Sequence, residues 1–235
     1  MWLMICEPTD YSALWLYGEL EKIGVDNITL LTPDELMFGA TWELHDGYEG
    51  TSFLITLDDS KIIHSTEIKG IINRITSITI GDEHNDARYI DDEWNAFFLC
   101  WLSCLDCIIL NPPQPDSIIG FWQEPAVLQN TLYKAGLKSK LFTLGENNNP
   151  NEESLNNNRL HVIALNGIVM NDSIDDSIKE GVEKLSKLID FPLMGITFDF
   201  NESEQWCVSS INNFPYFELG KEKLIGDLGK LIKDN

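Results

Sequence analysis

The chain has 235 residues, 43% of them hydrophobic, with a formal net charge of -22 and a pI near 4.3. That is enough apolar material for a real core, as one large domain or two small lobes. The acidity argues against nucleic acid and anionic membrane surfaces, whose phosphates select Lys and Arg, while it fits ordinary solubility and leaves room for a basic partner.

Met1-Trp-Leu-Met-Ile-Cys-Glu-Pro8 has no basic n-region and only a short apolar run, so it reads as a first strand and not as a signal peptide. No stretch approaches the length that spans a bilayer. Five cysteines, an odd number in a chain of this size, disfavour a disulfide framework and favour a reducing, cytoplasmic setting.

Trp2 to Cys6 predicts a strand. Asp10 then caps a helix running to about Ile23, with Leu14, Leu16, Leu20 and Ile23 on one side and Gly24 past its end. Ile28 to Leu31 completes a βαβ unit, which calls for a parallel sheet. The loop after the first strand lacks Gly-x-Gly-x-x-Gly, so a dinucleotide fingerprint is absent. Thr32-Pro33 starts a short helical turn. Ser52 to Leu57 and Lys61 to His64 flank Asp58-Asp59-Ser60 as a hairpin, and Ile68 to Ile75 is a buried strand ending in Asn73-Arg74.

Tyr89 to Leu105 is the longest helical pattern, with Trp94, Phe97, Phe98, Trp101, Leu102 and Leu105 forming its apolar face. Asp91, Asp92 and Glu93 lie near its start, where the helix dipole favours them. Cys107 to Leu110 is a strand broken by Asn111-Pro112-Pro113, Glu124 to Ala135 is a helix closed by Gly136, and Lys140 to Thr143 is a last short strand. The first lobe is therefore α/β with a mainly parallel sheet. Cys100, Cys104 and Cys107 match no zinc spacing and read as buried small hydrophobes. His45, His64, His84 and His161 share no motif, and no nucleophile elbow accompanies them.

Residues 146–159 form the one low-complexity run, rich in Asn, and read as a polar linker between lobes at 1–145 and 160–235. Beyond it, Asn166-Gly167 joins two strands, Leu160 to Leu165 and Ile168 to Met170. Asp172 or Ser173 caps a helix carrying Ile174, Ile178, Val182, Leu185 and Ile189 at helical spacing. Met194 to Phe200 alternates, with Thr197 and Asp199 facing away from Ile196, Phe198 and Phe200. Trp206 to Ile211 returns antiparallel to it, and a helix over Lys221 to Lys233 ends the chain. Asp199 and Asn212 carry oxygens suited to Mg²⁺. By spacing alone, an exposed Asp on a hairpin with an Asn in the following turn is the commoner reading, and either Ser209 or Ser210 shares the Asp199 face.

Together these segments resemble the ATP-grasp ligases, particularly the RimK/glutathione-synthetase-like members that include graspetide-type, peptide-modifying enzymes. Ile68-Lys-Gly-Ile-Ile-Asn-Arg-Ile75 is similar to the family's "gV-x-x-R" strand, and Cys107-Ile-Ile-Leu-Asn-Pro-Pro113 to its strand ending in "NpP". Leu132-Tyr-Lys-Ala-Gly-Leu-Lys-Ser-Lys-Leu-Phe-Thr143 resembles "A-x-x-Gl-x-x-P-x-T", and Leu160-His-Val-Ile-Ala-Leu-Asn-Gly167 the strand pair "RV-x-v-v-g-g". Gly195-Ile-Thr-Phe-Asp-Phe200 resembles "g-x-D-f", whose Asp is a metal ligand, and Val208-Ser-Ser-Ile-Asn212 stands where the family has "l-E-x-N".

The resemblance implies a pre-ATP-grasp-like α/β lobe followed by an α+β lobe with an antiparallel sheet, like the end of an ATP-grasp core. It implies metal-ligand positions at Asp199 and Asn212, with Ser210 where a Glu is expected. It also implies that the ATP-clamping subdomain is replaced by the polar linker. The expectation is a degenerate ATP-grasp-like protein without ligase activity or cofactor, an accessory subunit binding a peptide or a partner ligase. Arg74 is then a candidate cleft contact, or else an ordinary ion pair. The alternatives are an active carboxylate–amine ligase using Mg²⁺ and ATP with a minimised clamp, and an α/β interaction module with no nucleotide site.

Overall fold

The computed structural model describes residues 1–48, 50–75, 78, 86–115, 117–118, 120, 123–139, 159–171, 174–200 and 205–235. The chain divides into two compact units, Met1–Phe121 with Ile225–Asn235, and Trp122–Leu224. The expected linker up to residue 158 and the expected strand at 140–143 lie outside the described residues.

The first unit begins with β1 (Trp2–Cys6), buried at every position. Helix α1 (Tyr11–Lys22) follows, and the Asp10 carboxylate accepts from the Ala13 amide at 3.0 Å, satisfying one of the free donors of the first turn. Ser12, Ala13, Leu16 and Leu20 are its buried positions. Ile23 is 44% exposed, and Val25 in the following turn is buried instead. After β2 (Ile28–Leu31) comes α2 (Pro33–Phe38), opened by a capping box in which Thr32 and Glu35 exchange hydrogen bonds.

Strands β3 (Ala40–Gly47), β4 (Gly50–Leu57) and β5 (Ile62–His64) make an antiparallel meander. The pattern of Ser52 to His64 predicts β4 and β5 but not β3, whose alternating Ala40, Trp42 and Leu44 lie on a mostly exposed strand. Next come β6 (Gly70–Arg74), α3 (Ala87–Cys104) and β7 (Ile108–Leu110). The main sheet, in order β2-β1-β6-β7, is parallel throughout. Gly70 lies opposite Trp2, and a Cβ there would meet the indole ring at 2.5 Å, so the glycine makes room for the ring.

One core joins both sheets to α3, uniting Leu3, Ile5, Ile55, Ile71, Phe98 and Trp101. Trp42 of the meander meets Phe97 and Trp101 edge-on, with ring centroids 4.9 and 5.1 Å apart. Burial does not extend to every cysteine. Cys100 and Cys104 are exposed, while Cys6 and Cys207 are buried.

The second unit starts with α4 (Pro125–Ala135), ended by Gly136 in the left-handed region at φ 82°. Strands β8 (Arg159–Leu165) and β9 (Ile168–Val169) are joined by Asn166 and Gly167 at φ 49° and 77°, the backbone that a two-residue hairpin turn requires. Helix α5 (Asp176–Ile189) is capped by Asp175, not by Asp172 or Ser173. Its carboxylate accepts from the Ser177 hydroxyl at 2.5 Å and from the Ser177 amide at 2.8 Å, and these bonds, the hydroxyl's first, hold its pKa below the ordinary value. Ile174 therefore precedes the helix.

Strands β10 (Leu193–Phe200) and β11 (Trp206–Asn212) complete an antiparallel sheet in order β11-β10-β8-β9. Helix α6 (Lys221–Asp234) ends the chain. The Ser186 hydroxyl of α5 reaches Met194 Sδ, so the Met194, Ile196 and Phe198 side of β10 faces that helix. No helix among the described residues is long and apolar enough to cross a membrane.

Candidate functional site

In an open parallel sheet, ligands settle beyond the carboxyl ends of the strands where the chain order switches direction. In the first unit that point lies between β1 and β6, because β2 flanks β1 on one side and β7 extends the other. Cys6, Glu7, Asp10 and Arg74 stand there. Arg74 is only 4% exposed, and its Nε and Nη2 donate to the two Asp10 carboxylate oxygens at 2.5 and 3.0 Å. The pair therefore locks the cap of α1 to the end of β6. Burial, then the Asp10 charge, pushes the Cys6 thiol up to about 11, and burial with Asp34 raises Glu7.

Beside this pair, Asn73 and Asn111 cross-brace β6 and β7. The Asn73 amide donates to the Asn111 and Ile118 carbonyls, and the Asn111 amide donates to the Asn73 carbonyl. The end of the sheet is thus stitched by its own side chains. Arg74 sits inside that stitching and not at an exposed surface.

The face of the second unit's sheet turned away from Met194, Ile196 and Phe198 is polar. Thr197 lies opposite His161 on β8 and opposite Ser210 on β11, giving a row of imidazole and two hydroxyls across three strands. His161 Nδ1 and Thr197 Oγ1 are 3.1 Å apart. The register shifts after Thr197, Ser209 being the extra residue on β11, so Asp199 lies opposite Cys207 and Arg159. Ser210, opposite Thr197, shares the Asp199 face. Arg159 Nε donates to Asp199 Oδ1 at 3.2 Å.

Asp199 and Asn212 are not brought together. Asn212 lies opposite Gly195, four positions along β10 from Asp199, which at strand rise is about 13 Å. Mg²⁺ binds oxygen at about 2.0–2.1 Å, and two short side chains cannot close that span around one ion. Instead, Asn212 folds across Gly195, where an added Cβ would lie 2.7 Å from its Oδ1, and accepts the Phe214 amide at 3.1 Å. Directly opposed side chains on neighbouring strands have Cβ atoms about 4.5–5.5 Å apart, diagonal ones about 7–8 Å. The residue facing Ser210 is Thr197, so a hydroxyl faces a hydroxyl and neither brings the charge that holds Mg²⁺ against phosphates. Asp199 and Asn212 do not fit one Mg²⁺ ion between them. No group of three or more His, Cys, Asp or Glu suited to a metal occurs among the described residues.

Pattern alone misses Thr197 and His161. Both lie in the strands it identifies, but only the pairing register, with its bulge, sets them in one row with Ser210. Asp10 is legible as a cap and not as the partner of Arg74, 64 residues away.

No family model matches the chain, and no curated protein does. Its fold, in contrast, is similar to solved structures over nearly its whole length. The macrocyclase MdnC bound with precursor peptide MdnA from Microcystis aeruginosa MRC superposes with a TM-score of 0.72 at 11% identity, covering 100% of both chains. A Chryseobacterium gregarium RiPP-associated ATP-grasp ligase, in complex with ADP and a leader and core peptide, gives 0.67 at 10% identity over 99% of this chain and 96% of that one. D-alanine-D-alanine ligase from Aeromonas hydrophila gives 0.52 at 13% identity over 98% of each. The α/β unit with its parallel sheet and the α+β unit with its antiparallel sheet make an ATP-grasp-like fold.

Proposed function

We propose that the chain is a degenerate ATP-grasp-like protein without ligase activity of its own, acting as a binding or accessory subunit for a peptide or a partner ligase in a peptide-modification pathway. The observation that carries this reading is the row across the second sheet. Thr197 faces Ser210, while Asp199 is displaced along the strand and engaged by Arg159.

Phosphoryl transfer is mostly positioning and charge neutralisation. A pair of neutral hydroxyls where a cation would sit removes much of the neutralisation. The polar run at 146–158 offers no residue pattern of an ATP clamp with its phosphate-binding lysines. The peptide side of the proposal draws on the neighbours of like fold, which include a macrocyclase bound with its precursor peptide and a ligase holding a leader and core peptide. The net charge of -22 complements a basic peptide better than an acidic one.

Affinity purification of the tagged full chain from its native host, followed by mass spectrometry, tests the role. The reading expects an ATP-grasp ligase or a short precursor-type peptide to be retained in stoichiometric amount. Recovery of neither, at a yield that retains known binary complexes, removes the accessory role.

A further inference from the structure

Two thiols take no part in the sites described above. Cys100 and Cys104 stand one turn apart on α3, both exposed, while Phe98, Trp101 and Leu102 of the same helix are buried. Residues at this spacing lie one above the other, with Cβ atoms about 5–6 Å apart. The helical spacing therefore sets both thiols on one exposed face of the helix.

A disulfide needs Cβ atoms about 3.5–4.5 Å apart, so covalent closure would require the end of α3 to unwind. An atom placed between the sulfurs makes no such demand. Metal–thiolate bonds of about 2.3 Å let one ion span sulfurs about 4.6 Å apart, within reach of an intact helical turn. The identity of the ion follows from ligand number and softness. Ca²⁺ and Mg²⁺ take about six or more oxygens, and structural zinc takes four ligands. The described residues around the pair offer no cluster of three or more ligating groups. Soft thiolates select Cu(I), whose closed shell is content with two of them.

We propose that Cys100 and Cys104 form a two-thiolate clip for a soft monovalent cation, Cu(I). Binding replaces two S–H bonds with two Cu–S bonds and leaves a site of net charge -1. Two protons pass to solvent, and no electron is transferred. Each thiol gives up its proton on binding, so uptake tightens as pH rises. Cys107 lies past the helix end, partly buried, its thiol pushed up to about 11 chiefly by burial, and it is not a ligand.

The test is an anaerobic titration of the full chain against a chromogenic Cu(I) chelator. The expected result is one equivalent of Cu(I) withdrawn per chain, with affinity at least tenfold weaker in Cys100→Ser and in Cys104→Ser. Cys107→Ser and Cys207→Ser should bind as the parent does. Both ligand positions are exposed, so far-UV circular dichroism should show the serine variants folded. Failure of the parent chain to withdraw Cu(I) overturns the proposal. So does parent-like binding by either ligand variant, and so does loss of binding in Cys107→Ser.

Discussion

Arg74 and Asp10 meet across 64 residues of sequence, and their geometry explains more of the first unit than either residue does alone. The Asp10 carboxylate is shared between the guanidinium and the first turn of α1, so one side chain fixes both a helix end and a strand end. Side-chain exposures of 5% and 15% make the pair costly to break, because the survivor is a buried charge without its counter-ion. Arg74→Met should lower unfolding free energy by about 3–5 kcal/mol in urea denaturation, with Arg74→Met/Asp10→Asn losing clearly less than the sum of the single changes. Additive losses would mean that the contact contributes no coupling. The sequence shows Asp10 as a cap because capping is local. It shows Arg74 only as the polar end of an apolar strand, and the pairing waits on the parallel alignment of β1 with β6.

Among the elements, those carried by local chemistry are the legible ones. Asn166-Gly167 dictates its hairpin, Gly136 ends α4, Thr32 with Glu35 opens α2, and the aromatic stripe of α3 finds the core. Three features depend on more than local pattern. Strand β3 buries little of its surface, the start of α5 is decided among several adjacent acidic and hydroxyl residues, and the register of β10 against β11 turns on a single bulge. That register has a direct test. Opposed positions on an antiparallel pair have Cβ atoms about 4.5–5.5 Å apart, so Thr197→Asp/Ser210→Glu should build a divalent-cation site. The double variant should melt below the parent without metal, from carboxylate repulsion, and recover on addition of Mg²⁺ or Ca²⁺. Ser210→Glu alone should show no such recovery, because Asp199 is out of register and engaged by Arg159. Equal recovery in the single variant would show that Asp199 reaches the same cation.

For the molecule as a whole, the proposed reading separates fold from chemistry. The ATP-grasp-like fold is shared with solved structures at only 10–13% identity. The polar face of the second unit's sheet presents Thr197, Ser210 and His161. On the function proposed above, this chain does not use Mg·ATP. Thermal unfolding of the full chain with and without Mg·ATP tests it most directly, since a ligand at 100 times its Kd adds about 2.7 kcal/mol of stability, or several degrees for a chain of this size. Millimolar Mg·ATP should leave Tm where Mg²⁺ alone puts it. A saturable, Mg²⁺-dependent rise with ATP would contradict it.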